Sequence, residues 1–249
     1  KEGPRAFWQS INGTFLLVLG SGILLALLSL ARGIHYLLMN YPVWLWAFFF
    51  GLILASCWHL GKEIKRWGLP QLALLAAGAV VAGFISTASP TSVTATPLII
   101  LLAGSIAICA MILPGLSGSI ILLLMVLYEP VLGAVKQLDI QLLGTFAVGA
   151  LIGLMAFSRL LSWLLHHYKD AMFALLTGFM AGSLLKVWPW KETLSSRLNS
   201  QGVEVPFIQS NVLPDSDISL LLALVLMAAG ALSVWITLLL LIINAPFFT

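Results

Sequence analysis

The sequence predicts an all-α polytopic membrane protein built from two inverted three-helix repeats, with a re-entrant broken helix between them. Three observations carry that expectation: the composition, a self-match at a fixed offset, and a proline–glycine break inside an apolar stretch. Of 249 residues, 61% are apolar and 8% charged, with a mean hydropathy of +1.07. A soluble domain carries roughly 25% charged residues, so the chain belongs in a bilayer.

The elements follow in order. Apolar runs long enough to cross lie at 14–38, 42–60, 69–87, 141–165, 169–187 and 218–244. Each supplies about the 20 residues that a hydrocarbon core of about 30 Å requires. Ten-residue stretches of alternating polarity are absent, which excludes an outer-membrane barrel. Cys57 and Cys109 both fall inside apolar runs and read as small core residues. No His, Cys and carboxylate cluster has ligand spacing, so neither a metal nor a cofactor is expected. The net charge of +3 is scattered along the chain and points to no nucleic-acid partner.

The first three runs match the last three. Gly22, Arg32, Tyr41, Ala47, Gly51 and Ser56 align with Gly149, Arg159, Tyr168, Ala174, Gly178 and Ser183, every pair separated by 127 (159 − 32, 183 − 56). Leucine matches mean little in such sequences, but an arginine, a tyrosine and several small residues in one register indicate duplication. The expected organisation is a first repeat over 1–88, a re-entrant broken segment over 96–136, and a second repeat over 137–249. The second repeat holds a polar excursion at 188–216. Shifting the broken segment by 127 places its counterpart before residue 1. A first copy of it, missing from this chain, is therefore expected, in keeping with a start at KEGPRAFW that has neither an initiator methionine nor an apolar leader.

The break is ILPGLSGSIILLL, residues 112–124. Residues 99–113 make about 22 Å of helix and 117–128 about 18 Å, each short of the bilayer. Pro114, Gly115 and Gly118 stop the helix between them. A hairpin that enters, turns near mid-membrane and returns fits these lengths, and irregular backbone at that depth needs a protein-lined or water-filled cavity. The second half-helix would aim its free N–H groups and positive dipole end at an anion near Ser117 and Ser119. The alternative is a proline kink in an ordinary spanning helix. A hairpin inverts the halves and a spanning helix leaves them parallel. With Lys62, Lys65 and Arg66 taken as cytoplasmic, the hairpin leaves Lys136, Lys186, Lys191 and Arg197 outside, so the positive-inside rule favours the spanning alternative.

Arg32 and Arg159 lie six or seven residues inside their helix ends, about 10 Å deep. Arginines at that depth either snorkel or pair with an anion in the interior, and two related guanidiniums suit a phosphate. His166, His167 and Glu129 are candidate coupling groups, with helix-end roles as the alternative. Trp188 and Trp190 read as interfacial belt residues.

AICAMILPGLSGSIILLLMVLYEPVL (107–132), FSRLLSWLLHHYKD (157–170), ALLTGFMAGSL (174–184) and YPVWLWAFFFGLILAS (41–56) together resemble the bacterial polyprenyl-phosphate transporter family. The resemblance implies translocation of undecaprenyl phosphate, the lipid carrier of cell-wall synthesis, from the outer to the inner leaflet of the cytoplasmic membrane. It implies that the lipid's phosphate is the anion to be held, with Pro114, Gly115, Ser117, Gly118, Ser119 and Arg159 as ligands and Arg32 as their symmetry-related partner. The expected partners are thus a polyprenyl-phosphate lipid and the bilayer. An oligomer is compatible with the sequence. Members of the family carry an earlier PGVSGG-like motif, which this chain lacks. No bond is made or broken, so no enzyme is expected. A lipid phosphatase would need a His/Arg/Asp set, and a channel would need polar lining on several helices. A transporter of a small anion is the competing reading, separable by whether the cavity opens sideways to lipid.

Overall fold

The computed structural model describes residues 12–88, 93–198, 204–214 and 218–244. Within them the chain runs through α1 (Gly13–Asn40), α2 (Pro42–Lys62), α3 (Leu69–Thr87), α4 (Pro97–Ile112), α5 (Gly118–Leu124), α6 (Tyr128–Gln137), α7 (Ile140–His167) and α8 (Lys169–Val187). A hairpin of β1 (Lys191–Leu198) and β2 (Glu204–Asn211) follows, and then α9 (Ile218–Asn244). The six apolar runs are therefore α1, α2, α3, α7, α8 and α9. Among the described residues, α2, α3, α7, α8 and the Leu220–Leu240 part of α9 are long and apolar enough to cross a membrane. Large apolar side chains such as Leu69, Phe84, Leu221 and Leu239 point outward, as they do where the solvent is lipid and apolar exposure costs nothing.

The two helix joints 127 residues apart have matching backbones. Tyr41 joins α1 to α2 with φ −138° and ψ 54°, and Tyr168 joins α7 to α8 with φ −131° and ψ 46°. The Tyr41 N–H donates to the carbonyl of Leu37, and that of Tyr168 to Leu164, both at 2.7 Å. Leu37 and Leu164 are themselves 127 apart. At the first joint Pro42 opens the new helix, where its missing N–H leaves nothing unpaired, and it keeps Tyr41 out of the helical region.

The helices then pair reciprocally. α2 lies on α9, α3 on α8, and α2 touches α8 between them. A Cβ on Gly51 would run into the carbonyl of Met227, and one on Gly230 into that of Phe48; a Cβ on Gly178 would run into the carbonyl of Leu75, and one on Gly78 would stand 2.5 Å from that of Leu175. Residues 48 and 51 map onto 175 and 178 by the offset of 127, while 75 and 78 map onto 227 and 230 by a longer one of 152 (227 − 75, 230 − 78). One glycine seam is thus used twice. Glycine is needed there because the backbones themselves are in contact, the packing that holds helices together in lipid.

Direction follows from the same contacts. Phe50 meets Trp188 edge-on at 5.6 Å, Leu60 packs on the Met172–Leu176 cluster, and the N–H groups of Lys65 and Arg66 donate to the Asp170 carboxylate at 3.2 Å. α2 and α8, the equivalent helices of the two repeats, therefore run antiparallel. α3 runs parallel to α8, with Leu75 beside Gly178 and Ala79 beside Gly182.

α4 lies parallel to α7, with Leu101 against Gly149, Ser105 against Gly153, and the Cys109 thiol 3.8 Å from the Gly153 carbonyl. α5 then folds back along α4. A Cβ on Gly118 would stand 2.5 Å from the Ala107 carbonyl, and Leu122 and Leu127 share one core cluster with Ile100, Ala103 and Ala107, against Leu142 and Phe146 of α7. Both ends of the segment therefore lie beside the start of α7. The second half-helix is shorter than the 117–128 expected: α5 ends at Leu124, Val126 takes φ 55°, and α6 leaves at an angle of 107°. Pro130 sits in the first turn of α6, where its missing N–H leaves nothing unpaired.

The excursion at 188–216 contains a two-stranded antiparallel hairpin, pairing Lys191 with Asn211 and Leu198 with Glu204. Its polar sequence gave no clear alternation, and the pairing itself slips on either side of Ser195. The hairpin is tied to the end of α8, where the Trp188 indole N–H donates to the Val212 carbonyl at 2.9 Å and the Asn211 amide to the Leu185 carbonyl at 2.8 Å.

Candidate functional site

The break forms a turn pressed onto α8. Gly115 has φ +86°, in the left-handed region that favours glycine, and a Cβ there would stand 2.9 Å from both the Phe179 carbonyl and the Ser183 hydroxyl. Ser183 is buried, and its hydroxyl donates to the Met180 carbonyl at 2.7 Å. No role follows from the sequence for Phe179 and Ser183; both lie in the stretch ALLTGFMAGSL (174–184), and Ser183 also aligns with Ser56.

Beyond the turn, Ser117 caps α5 in an extended conformation without a side-chain bond to the helix, and the Ser117 and Ser119 hydroxyls lie 2.8 Å apart. The N–H groups of Ser117, Gly118 and Ser119 have no acceptor among the described residues. Three N–H groups without an acceptor and two hydroxyls in three consecutive residues are a donor set suited to an oxyanion. Next to it, Leu113 and Leu116 pack on the core of Ala82, Met172, Leu176 and Phe179, and because α4 runs parallel to α7 with Cys109 beside Gly153, the turn that follows Ile112 comes level with the part of α7 near Arg159.

Arg159 is exposed from the protein and borders a space of about 440 Å³, together with Ser158, Ser162, Trp163, His166 and His167. All six belong to α7, and none belongs to the 114–119 turn. Arg159 thus shares one side of α7 with the two histidines, and the turn, at a similar depth, does not line that space. The His167 Nδ1 lies 2.9 Å from the Trp163 carbonyl, and its ring stacks on Trp163 at 5.0 Å, which fixes that imidazole. Glu129 is exposed in the first turn of α6, beside the opposite end of α7, far from both histidines. Arg32 sits on α1 at the position matching Arg159, and its side chain lies outside the described residues. No group of three potential metal ligands occurs among the described residues.

These features define a class: a multi-pass membrane protein with an interrupted helix that presents unpaired N–H groups and hydroxyls, and an arginine inside the apolar span. Its relatives make the assignment specific. A family described as undecaprenyl phosphate translocase-like matches residues 1–205, and the chain belongs to it. Curated relatives include a polyprenyl-phosphate transporter of Vibrio cholerae, 48% identical over 236 residues that cover 92% of this chain and 77% of the relative. A polyprenyl-phosphate transporter of Staphylococcus aureus is 32% identical over 203 residues, covering 74% of this chain and 71% of the relative. No solved structure matches the chain.

Proposed function

We propose that this protein carries undecaprenyl phosphate across the bacterial cytoplasmic membrane, returning it from the outer to the inner leaflet for reuse in cell-wall synthesis. Family membership and the two relatives' names support a lipid-phosphate transporter. The observation that carries the reading here is the set of unpaired N–H groups at Ser117, Gly118 and Ser119, at a similar depth to Arg159. A phosphate monoester needs several donors at once, and the guanidinium fork can supply two of them. Arg32, on the matching helix of the other repeat, is the proposed counterpart. The tail stays in lipid, so no covalent step is involved, and His166 and His167 are the candidate proton-coupling groups beside Arg159.

The same reading makes the α4–α5 fold-back a re-entrant hairpin, and the halves inverted about an axis in the membrane plane. The antiparallel α2 and α8 and the doubled glycine seam support this. Cysteine labelling should place residues 95 and 131 on one face of the membrane; labelling on opposite faces would remove the hairpin.

Function is tested with the purified full chain in vesicles carrying undecaprenyl phosphate in one leaflet, with and without a pH gradient. Arg159→Ala should nearly abolish leaflet exchange. Arg159→Lys, which keeps the charge and loses the fork, should slow it by about tenfold, since charge-assisted hydrogen bonds contribute about 1.5–3 kcal/mol each. Near-normal exchange by a well-folded Arg159→Ala protein would show that this arginine only snorkels.

A further inference from the structure

A second space lies between the last turns of α2, the loop after it and α9, with Thr177 of α8 on its wall. It measures about 940 Å³, and Trp58, Lys62, Trp67 and Trp235 are among the residues lining it. Lys62 is exposed, and its Nζ stands 5.3 Å from the Trp58 ring centre and 5.1 Å from that of Trp235. An ammonium between two indoles, with a third tryptophan on the wall, is positioned by its rings and still free to meet an anion.

Comparison with the other repeat shows that duplication did not produce this space. The positions matching Trp58, Trp235 and Lys62 are Leu185, Gly83 and Pro189. There the interval is closed: a Cβ on Gly83 would stand 3.2 Å from the Leu185 Cδ1. One end of the α2–α9 pair is thus open, aromatic and cationic where its counterpart is filled and apolar. The surroundings are basic as well, with Lys65 and Arg66 three and four residues on. Asp170 does not neutralise them by a side-chain pair, since its oxygens accept from their backbone N–H groups. Glu63 is the other acidic residue of this loop and is exposed.

We propose that this space binds an anionic glycerophospholipid of the same leaflet, with its phosphodiester at Lys62 and its glycerol and upper chains among the tryptophans. The volume is of ligand-pocket size, about 300–1,000 Å³, far more than a phosphate ion needs. Tryptophans mark the interfacial depth of a headgroup, and basic pockets between membrane helices recognise anionic lipids. The cation that lines the space separates this lipid from a phosphate monoester: the Lys62 ammonium is a point charge that satisfies a single-charged diester, whereas a monoester calls for a fork or several donors at the site itself. The proposal does not rest on the transport reading.

Native mass spectrometry of the full chain in detergent, with phosphatidylglycerol, phosphatidylcholine or undecaprenyl phosphate added, tests it. Phosphatidylglycerol should be retained over phosphatidylcholine and should raise the melting temperature. Lys62→Gln should lower its retention about fivefold, the factor that ~1 kcal/mol per lysine makes, and Trp235→Leu should lower it too, while Lys169→Gln leaves it unchanged. The lipid-free melting temperature of Lys62→Gln should match the wild type, which separates lost binding from lost folding. Equal retention of phosphatidylglycerol by wild type and Lys62→Gln overturns the proposal. So does undecaprenyl phosphate displacing phosphatidylglycerol with the same dependence on Lys62.

Discussion

The α2–α9 and α3–α8 pairs are two versions of one helix contact, alike in the middle and different at the ends. In the middle, Gly51 and Gly230 do for one pair what Gly178 and Gly78 do for the other. At the ends the pairs part. α3–α8 closes with Gly83 against Leu185, while α2–α9 opens into the tryptophan-lined space around Lys62. After α8 the chain adds a β-hairpin tied down by Trp188 and Asn211, and after α2 it adds only the short loop 63–68. Backbone contact tolerates no side chain, so it fixes glycine in both pairs. The ends carry no such constraint, and there the two pairs differ in chemistry.

The largest effect comes from the shared middle. Gly51→Leu and Gly178→Leu each drive a side chain into a carbonyl of the facing helix, Met227 in one pair and Leu75 in the other. Overpacking of this kind costs about 1–3 kcal/mol when neighbours can move and more when the obstacle is backbone. Each variant should therefore lose at least about 3 kcal/mol, by comparable amounts, in thermal or chemical unfolding of the detergent-solubilised protein. If one is tolerated and the other abolishes folding, the two pairs are not equivalent where the geometry says they are.

A smaller effect tests where the pairs differ. Asp170 accepts from the N–H groups of Lys65 and Arg66, tying the first turn of α8 to the loop after α2. The matching position in the first repeat is Val43, which has no side-chain acceptor. Asp170→Asn keeps the shape but leaves one acceptor oxygen for two N–H groups, and loses the charge that strengthens the bonds and suits a helix start. A loss of about 1–2 kcal/mol is expected, with faster amide exchange at Lys65 and Arg66. Unchanged exchange at those two amides would mean that the tie does not hold the loop.

Much of this was legible in the sequence, for identifiable reasons. Six apolar runs set the long helices because only a helix satisfies its own backbone in lipid. The offset of 127 was legible because Arg32, Tyr41 and Gly51 are rare or constrained choices in such runs. The proline–glycine break was legible too, but not where the second half-helix would end, because Val126 at φ 55° carries no sequence signature. Nor was the partner of the turn: Gly115 meets Phe179 and Ser183, and nothing local joins residues more than sixty apart in the chain. The β-hairpin was missed because Thr193, Ser195 and Ser196 give a polar strand with no apolar face. The Lys62 space escaped because tryptophans near helix ends read as an ordinary belt until α9 brings Trp235 beside Trp58.

The smallest effect concerns a pair of lysines that cover matching rings. Trp46 and Phe173 are 127 apart, and each lies under an ammonium: Lys191 stands 4.5 Å over Trp46, and Lys169 5.4 Å over Phe173. The cations come from different places and differ in solvation. Lys169 is exposed at a helix start, whereas Lys191, at the first position of β1, is partly buried and donates to the Lys186 carbonyl. Burial, and secondarily the neighbouring Lys186 charge, lower the Lys191 pKa from 10.5 to about 8. The folded protein thus gives up this proton near pH 8, and the unfolded chain keeps it until about 10.5. Between those values the unfolded state binds more protons, so this group makes stability rise with pH across that window. Below it both states are protonated and the cost of burying the ammonium is fully felt. Lys191→Met removes the titration, along with the ring contact and the carbonyl bond. Wild-type stability should therefore climb relative to Lys191→Met from about pH 8 towards pH 10 in denaturant titrations. Parallel curves for wild type and Lys191→Met would mean that water reaches Lys191 as freely as it reaches Lys169.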